Sequence, residues 1–390
     1  MTIAMIGQKG LPARSGGIER HVSLLASGLA SRGHRVIVYG RRWYVAGAST
    51  PEGIEQHFTS GIHTKHLDAI THSFTALWAA RAERPDVIHI HGSGIALLTP
   101  IARLFHPNAK VVVTFHSFDG ALAKWNRFAK SMFRLGEWLG CHTAHRMIAV
   151  SEMLTRYCLD SYGYQVTYIP HPFPLPTQQP DLKALVAHNV QPDQYLLFVG
   201  RLIPDKQAHL LVRAYAAARE QRPDLFAQLP LLIVGGGSWT DRYVKWLYQL
   251  SAGVPNVTFV GERCGEELHS LQAHALAHVF PTSSEGLSIA MLEAAAYRRP
   301  IVVTDLPQNR EATGGHAVEV KINDLESLSN GLIAIAEMSQ THREQLGHQA
   351  YQYVAQRFDA SDRLDDMDRL YEEVVRGHGS LTTPAFQPVS

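Results

Sequence analysis

Pro281-Thr-Ser-Ser-Glu285-Gly286-Leu287-Ser288-Ile-Ala-Met-Leu-Glu293-Ala-Ala-Ala-Tyr-Arg-Arg-Pro300 is the stretch that decides how this chain is read. A short apolar run, Ala277 to Phe280, precedes it and has the pattern of a buried strand. A polar turn with Gly286 follows, a helix is expected from about Ser288, and Pro300 ends it. A loop feeding a helix start presents unpaired backbone N–H groups at the positive end of a dipole, a setting suited to phosphate. Glu285 falls in the loop and Glu293 in the helix. A carboxylate does little for phosphate but readily accepts hydrogen bonds from sugar hydroxyls. Phosphate plus polyol reads as a nucleotide-sugar. Either carboxylate alone reads as an ordinary solvated group, so the weight lies on the pair in its strand–loop–helix frame.

Working outward, the second half repeats one pattern. Leu196–Val199 reads as a strand, followed by Gly200-Arg201-Leu202-Ile203-Pro204-Asp205-Lys206 and a helix through Leu210, Leu211 and Ala214. Leu231–Val234 runs into Gly235-Gly236-Gly237, Val257–Val260 into Gly261-Glu262-Arg263, and Ile301–Thr304 is a further strand. The first half opens the same way, with a strand at Thr2–Ile6, a loop from Gly7 to Gly17, and a helix with Ile18, Val22, Leu25 and Leu29 on one face. The pair Gly16-Gly17 serves either close approach of a ligand to backbone or a tight turn. Neither glycine loop has the G-x-G-x-x-G spacing of dinucleotide binding. More strands are expected at Val87–His91, Val111–Phe115, Met147–Val150 and Val166–Ile169. Short apolar strands separated by helix-length segments imply doubly wound parallel sheets, whose ligands collect at the carboxyl ends of strands. Gly7–Gly17, His91-Gly92, His116–Asp119 and Ser151 all lie at such ends. Between Pro170 and Pro192, prolines 172, 174, 176 and 180 interrupt regular structure and read as a linker.

Glu285 and Glu293, with a glycine after the first and small residues after the second, resemble the E-x7-E motif of retaining glycosyltransferases, most closely family 4 of that class. Gly7 to Val22 is similar to the amino-terminal loop of bacterial members, including a rhamnosyltransferase-like subset. His116-Ser117-Phe118-Asp119 resembles a His-Gly-x-Asp stretch, with Ser117 where glycine is common. Ile169-Pro170-His171-Pro172 departs from the Ile-Pro-Asn-Gly of many relatives, and no ligand role is carried onto His171.

The resemblance spans Gly7 to about Val375 and implies an α/β chain of the GT-B fold, two Rossmann-like doubly wound domains facing each other across a cleft. The expected organisation is an acceptor domain over 1–176, a linker over 177–194 and a donor domain over 195–358. A helix over 359–376 would cross back to the first domain, with a disordered tail over 377–390. The implied reaction moves a sugar from a nucleoside diphosphate to a glycan or polyprenyl-linked acceptor with retention, in bacterial cell-surface polysaccharide assembly. Arg201 and Lys206 match the basic pair that clamps the diphosphate, an apt pairing because one offers a planar fork and the other a compact charge. Gly286, Leu287 and Ser288 would share that task, Gly16 and Gly17 would approach the diphosphate, Glu293 would accept from ribose, and Glu285 and His116 would bind the donor sugar. No metal and no cofactor beyond the donor co-substrate are implied. Two rival readings are a nucleotide-sugar epimerase of the same fold and a non-catalytic sugar-nucleotide-binding partner.

The whole-chain figures agree with a soluble α/β protein of about two domains: 390 residues, 45% hydrophobic and 18% charged. A net charge of +1 offers no case for nucleic acid. Three separated cysteines imply no disulfide framework. Met1 leads directly into Ile3–Ile6, so no signal peptide is expected, and a cytoplasmic protein, peripheral at the inner membrane face, is the expectation. The 22 histidines show no metal-ligand spacing, and His89 and His91 are read as pointing to opposite faces of a strand. Asp366-Met367-Asp368 lies on an expected helix and is discounted as a metal motif. Lys124, Arg127, Lys130 and Arg134 form a basic stripe interleaved with Trp125, Phe128, Met132, Phe133, Leu135, Trp138 and Leu139. That segment reads either as an interfacial helix on an anionic membrane or as a helix with its apolar face in the core.

Overall fold

Two parallel sheets are built from these apolar runs, one in each of two units. The computed structural model describes residues 1–13, 16–45, 47, 49–118, 127–237 and 239–377. Among the described residues, one unit is the chain up to Pro172 joined by the final helix from Ala360, and the other is Phe173–Asp359.

The first sheet contains β1 (Thr2–Ile6), β2 (Arg35–Gly40), β3 (Ile54–Phe58), β4 (Val87–His91), β5 (Lys110–Phe115), β6 (Arg146–Ala149) and β7 (Thr167–Tyr168). Its order is β3-β2-β1-β4-β5-β6-β7. Every pairing is parallel, with Ile3 opposite both Val36 and Val87. The second contains β8 (Leu196–Val199), β9 (Leu231–Val234), β10 (Val257–Gly261), β11 (Ala277–Phe280), β12 (Ile301–Thr304) and β13 (Val318–Val320), in the order β10-β9-β8-β11-β12-β13. In each sheet the order reverses beside the unit's first strand, which opens a crevice at the carboxyl ends there. Central strands are covered on both faces, and Ile3 to Ile6 and Leu196 to Phe198 are fully buried. The edge strands β3 and β13 escaped sequence reading because polar residues break their runs, as in Ile-Glu-Gln-His-Phe.

The last helix, Ala360–Arg376, belongs to the first unit. Its residues Leu364, Met367, Leu370, Tyr371 and Val374 recur at helical spacing and join Val22, Leu25 and Leu29 of the Gly17–Ser31 helix in one core. Gly28 permits the approach, since a Cβ there would stand 2.3 Å from Leu364 Cδ1. Asp366 and Asp368 take separate partners, Arg363 Nη1 at 3.1 Å and His34 Nε2 at 2.8 Å.

The stretch read as a linker holds regular structure. Lys183–Ala187 is a short helix whose Ala184 and Leu185 pack with Tyr195, Leu197 and Leu271. The prolines on either side hid a five-residue helix that propensity alone cannot predict. Residues 378–390, read as a tail, lie outside the described residues. No described helix is long and apolar enough to cross a membrane.

Candidate functional site

In the second unit the site is made by the loops after β8 and β11. The β11 loop is fixed from both sides: Thr304 Oγ1 donates to the Thr282 carbonyl at 2.6 Å, and Ser283 N to the Asp205 carbonyl at 2.9 Å. Gln308 Nε2 donates to the Glu285 carbonyl at 3.0 Å. The helix that follows, Ile289–Ala296, starts without a side-chain cap from Ser288, so its dipole end is not quenched by its own hydroxyl. It is buried nearly all round through Ile289, Met291, Leu292 and the three alanines, which fixes where its start points.

Lys206 Nζ donates a short, charge-assisted hydrogen bond to Glu285 Oε1, with Glu285 only 9% exposed. Glu285 is thus engaged by Lys206 within the unit, a contact the sequence reading did not foresee. Glu293 accepts from Gln272 Nε2 at 2.8 Å and is oriented by it. Arg201 is half-buried, and its side chain makes no hydrogen bond or ion pair with another described residue. Its loop is braced by Leu202 N to the Gly236 carbonyl at 2.8 Å and by Thr240 Oγ1 to the Leu202 carbonyl at 2.8 Å. Gly235, at φ 147°, is required there because a Cβ would stand 1.8 Å from the Gly200 carbonyl oxygen. Arg201, Lys206, Glu285, Gly286, Leu287 and Ser288 therefore lie in loops at the carboxyl ends of the neighbouring strands β8 and β11, whereas Glu293 lies a turn into the following helix, against Gln272.

In the first unit the loop after β1 is pinned by side chains. Buried Gln8 Nε2 donates to the Met5 and Tyr39 carbonyls at 2.9 and 3.1 Å. Gln56 Oε1 accepts from Leu11 N at 2.7 Å, and Glu19 Oε1 from Lys9 N at 3.2 Å. Gly16 has φ 102°, whereas the position a Cβ would take on Gly17 has no atom within 4 Å. Backbone is open at that helix start.

His116 follows β5 and is buried among other histidines. Its ring centroid lies 4.7 Å from that of His21 and 5.7 Å, stacked, from that of His171. His91 Nδ1 is 3.3 Å from His116 Nε2, and His171 Nδ1 is 2.8 Å from His21 Nδ1. Burial, reinforced by the neighbouring rings, holds His21, His91 and His116 well below the usual histidine range, so they are neutral near pH 7. The expectation for His89 and His91 is corrected: their rings are 4.0 Å apart on one face, because residues two apart in a strand share a face. His21, His91 and His171 were missed as a group. The signal available was their position, at strand ends or early in the first helix of one sheet.

The basic segment falls partly outside the described residues, which exclude Lys124, Trp125 and Asp119. The helix Arg127–Thr143 exposes Arg127, Arg134, Phe128, Leu135 and Trp138, the last three at 75%, 44% and 46%, while Lys130 is half-buried. Its buried face is Gly136, Glu137, Gly140 and Cys141. A Cβ on Gly136 would stand 2.5 Å from the Ser93 carbonyl oxygen, so glycine lets this face sit close to backbone. Glu137 Oε2 accepts from Tyr157 and Tyr162 hydroxyls at 2.8 and 2.6 Å. The apolar residues are divided: Phe133 lies against Gly94, Met132 and Leu139 are half-buried, and Phe128, Leu135 and Trp138 face outward.

Residues 15–175 match the family model described as Glycosyltransferase Family 4, and residues 193–338 that described as Glycosyl transferases group 1. Phosphatidyl-myo-inositol mannosyltransferase of Mycobacterium tuberculosis is 26% identical over 394 residues, covering 92% of this chain and 94% of that one. Among solved structures, sucrose-phosphate synthase from Thermosynechococcus elongatus aligns with TM-score 0.80 and 21% identity, over 96% of this chain and 99% of that chain. Anabaena HepE, in complex with UDP and glucose, aligns with TM-score 0.75 and 18% identity, over 96% of this chain and 100% of that chain. The fold is the GT-B arrangement of two parallel-sheet, Rossmann-like units, and the family matches together with the full-length relative make the chain a glycosyltransferase. Within that class the first unit carries the family 4 match and the second the group 1 match.

Proposed function

We propose that the protein moves a sugar from a nucleoside diphosphate to a glycan or lipid-linked acceptor with retention at the anomeric carbon, in bacterial cell-surface polysaccharide assembly. The observation that carries this reading is the Lys206–Glu285 pair beside Arg201 and an uncapped helix start. Arg201, Lys206 and that helix start answer the charge that builds on the diphosphate as the bond from anomeric carbon to phosphate oxygen breaks. The acceptor oxygen bonds to the same carbon, and its proton passes to the departing diphosphate. Retention through the same face is supported by the engagement of both nearby carboxylates, Glu285 by Lys206 and Glu293 by Gln272, which leaves neither poised as a nucleophile. Glu293 accepts from ribose hydroxyls, Glu285 and His116 bind the donor sugar, and the open backbone at Gly16-Gly17 approaches the diphosphate. No divalent ion is needed at the diphosphate, because fixed positive groups already stand there.

HepE's UDP and glucose support the donor class, and the mannosyltransferase's phosphatidyl-inositol substrate supports a lipid-linked acceptor. The apolar and basic outer face of Arg127–Thr143 suits a peripheral position on an anionic membrane, where such an acceptor resides. The test is a thermal-shift screen over UDP-, GDP- and dTDP-sugars, followed by transfer assays with the best donor. Stabilisation by one donor class and transfer with retention, unchanged when Mg²⁺ and Mn²⁺ are omitted, is expected. An epimer formed from donor alone, donor binding with no transfer to any acceptor, or transfer that requires added Mg²⁺ or Mn²⁺, would overturn the corresponding part.

A further inference from the structure

The histidine cluster of the first unit holds more than one sugar-binding histidine requires. His21 comes from the Gly17–Ser31 helix, His91 ends β4 and His116 follows β5. One ring nitrogen from each lies within 4.8 Å of the other two. The three residues are 0%, 1% and 7% exposed, so water does not compete freely for them. Nε2 of His21 has no hydrogen-bond partner and is free for an ion, while His91 and His116 turn Nδ1 and Nε2 towards each other. The 3.3 Å between His91 Nδ1 and His116 Nε2 is long for an N–H···N bond. It equals the roughly 3.3 Å expected between two imidazole nitrogens that each sit about 2.0–2.1 Å from a tetrahedral zinc ion.

We propose that His21, His91 and His116 form a binding site for one divalent transition-metal ion of the zinc class, with the fourth position open to water or an anion. Uncharged rings keep the lone pair that a metal takes. An all-imidazole set suits zinc, cobalt or nickel and disfavours magnesium and calcium, which want oxygen. His171, 2.8 Å from His21 through their Nδ1 atoms, is the outer partner that fixes the orientation of the His21 ring. His89 is not a ligand, because its two nitrogens are engaged by the Tyr371 hydroxyl at 2.6 Å and Thr114 Oγ1 at 2.7 Å. With three neutral ligands the ion keeps its charge, which favours hydroxide or an anionic group in the fourth position. The site rests on first-unit geometry alone and does not depend on the donor reading.

The test uses the full chain, stripped of metal and titrated with Zn²⁺ by calorimetry, with thermal melting in parallel. One saturable equivalent and a midpoint that rises with Zn²⁺, but not with Mg²⁺ or Ca²⁺, are expected. His21→Gln and His91→Gln should each lose that equivalent, while His278→Gln, a buried histidine of the second unit, should retain it. Retention by His21→Gln and His91→Gln would assign the ion to surface histidines and overturn the site, as would no saturable binding by the parent. Should both variants fail to fold, the ligand-field spectrum of the Co²⁺-loaded parent decides. Intense tetrahedral bands support the trio, and weak octahedral bands or none overturn it.

Discussion

Lys206 and Glu285 touch although 79 residues separate them in the chain. Each was legible as a site residue, from a basic pair after one strand and a carboxylate after another, but their contact was not. Parallel order β8-β11 brings their loops side by side, and that order is a property of the sheet and not of either stretch. The same blindness applied to His21, His91 and His171, each bland alone. If Arg201 and Lys206 act mainly when charge develops on the diphosphate, changing either to Ala lowers transfer by about 2–4 kcal/mol in activation free energy, with a smaller change in stability. Transfer kinetics beside thermal melting check this, and parental rates in both folded variants would remove the assigned donor site. A second residue-scale expectation concerns His278, whose pKa burial pushes down from 6.5 to about 4, and whose Nε2 lies 2.9 Å from the Gln272 carbonyl oxygen. Above pH 6.5 the ring is neutral folded or unfolded. As pH falls from there towards about 4, the unfolded chain takes up a proton that the fold refuses, so stability declines. The loss is about 1.4 kcal/mol per pH unit for one such group. Urea unfolding of His278→Gln across that window should show a shallower decline than the parent by roughly one proton's slope. An equal slope would mean that His278 protonates in the fold.

Among elements, long periodic ones were read well and short or edge ones poorly. The Gly17–Ser31 and Ala360–Arg376 helices carried clear apolar stripes, whereas β3, β13 and Lys183–Ala187 carried no period strong enough to see. Arg127–Thr143 had a strong pattern that left open which side faces inward. Its glycines answer part of that, since Gly136 and Gly140 lie on the packed face with Phe133 turned towards Gly94, while Phe128 and Trp138 are left outside. This sets an expectation for vesicle sedimentation. Replacing Phe128 and Trp138 by Ser should weaken binding to anionic vesicles at every salt concentration. Replacing Arg127 and Arg134 by Gln should weaken it mainly at low salt, by roughly 1 kcal/mol for each charge. Equal binding by parent and both variants, or none by the parent, would leave a soluble acceptor as the better reading.

For the whole molecule, the doubled strand–loop–helix pattern made two parallel sheets legible, because a repeated period needs no long-range information. Which unit owns each segment was harder, and the last helix illustrates why. Its apolar stripe says that it packs, not where, and only the core shared with Val22, Leu25 and Leu29 answers that. The chain therefore enters the first unit, leaves it at Pro172, completes the whole of Phe173–Asp359, and returns. During synthesis the order of emergence and the order of completion are then opposite. The first sheet leaves the ribosome early but must wait, with the groove for Leu364, Met367 and Tyr371 open and His89 Nδ1 without the Tyr371 hydroxyl, until Ala360–Arg376 has emerged. Among the described residues the second unit is contiguous, and it can finish in the interval. A chain stopped at Asp359 should accordingly retain a cooperative melt from the second unit and show rapid proteolysis confined to the first. Supplying residues 360–377 as a separate peptide should restore protection, and an unchanged digestion pattern in the shortened chain would show that the groove closes without its helix. A growing chain of this design carries an unfinished apolar surface for nearly the length of a domain, which makes its amino-terminal half the natural client of a chaperone at the exit tunnel.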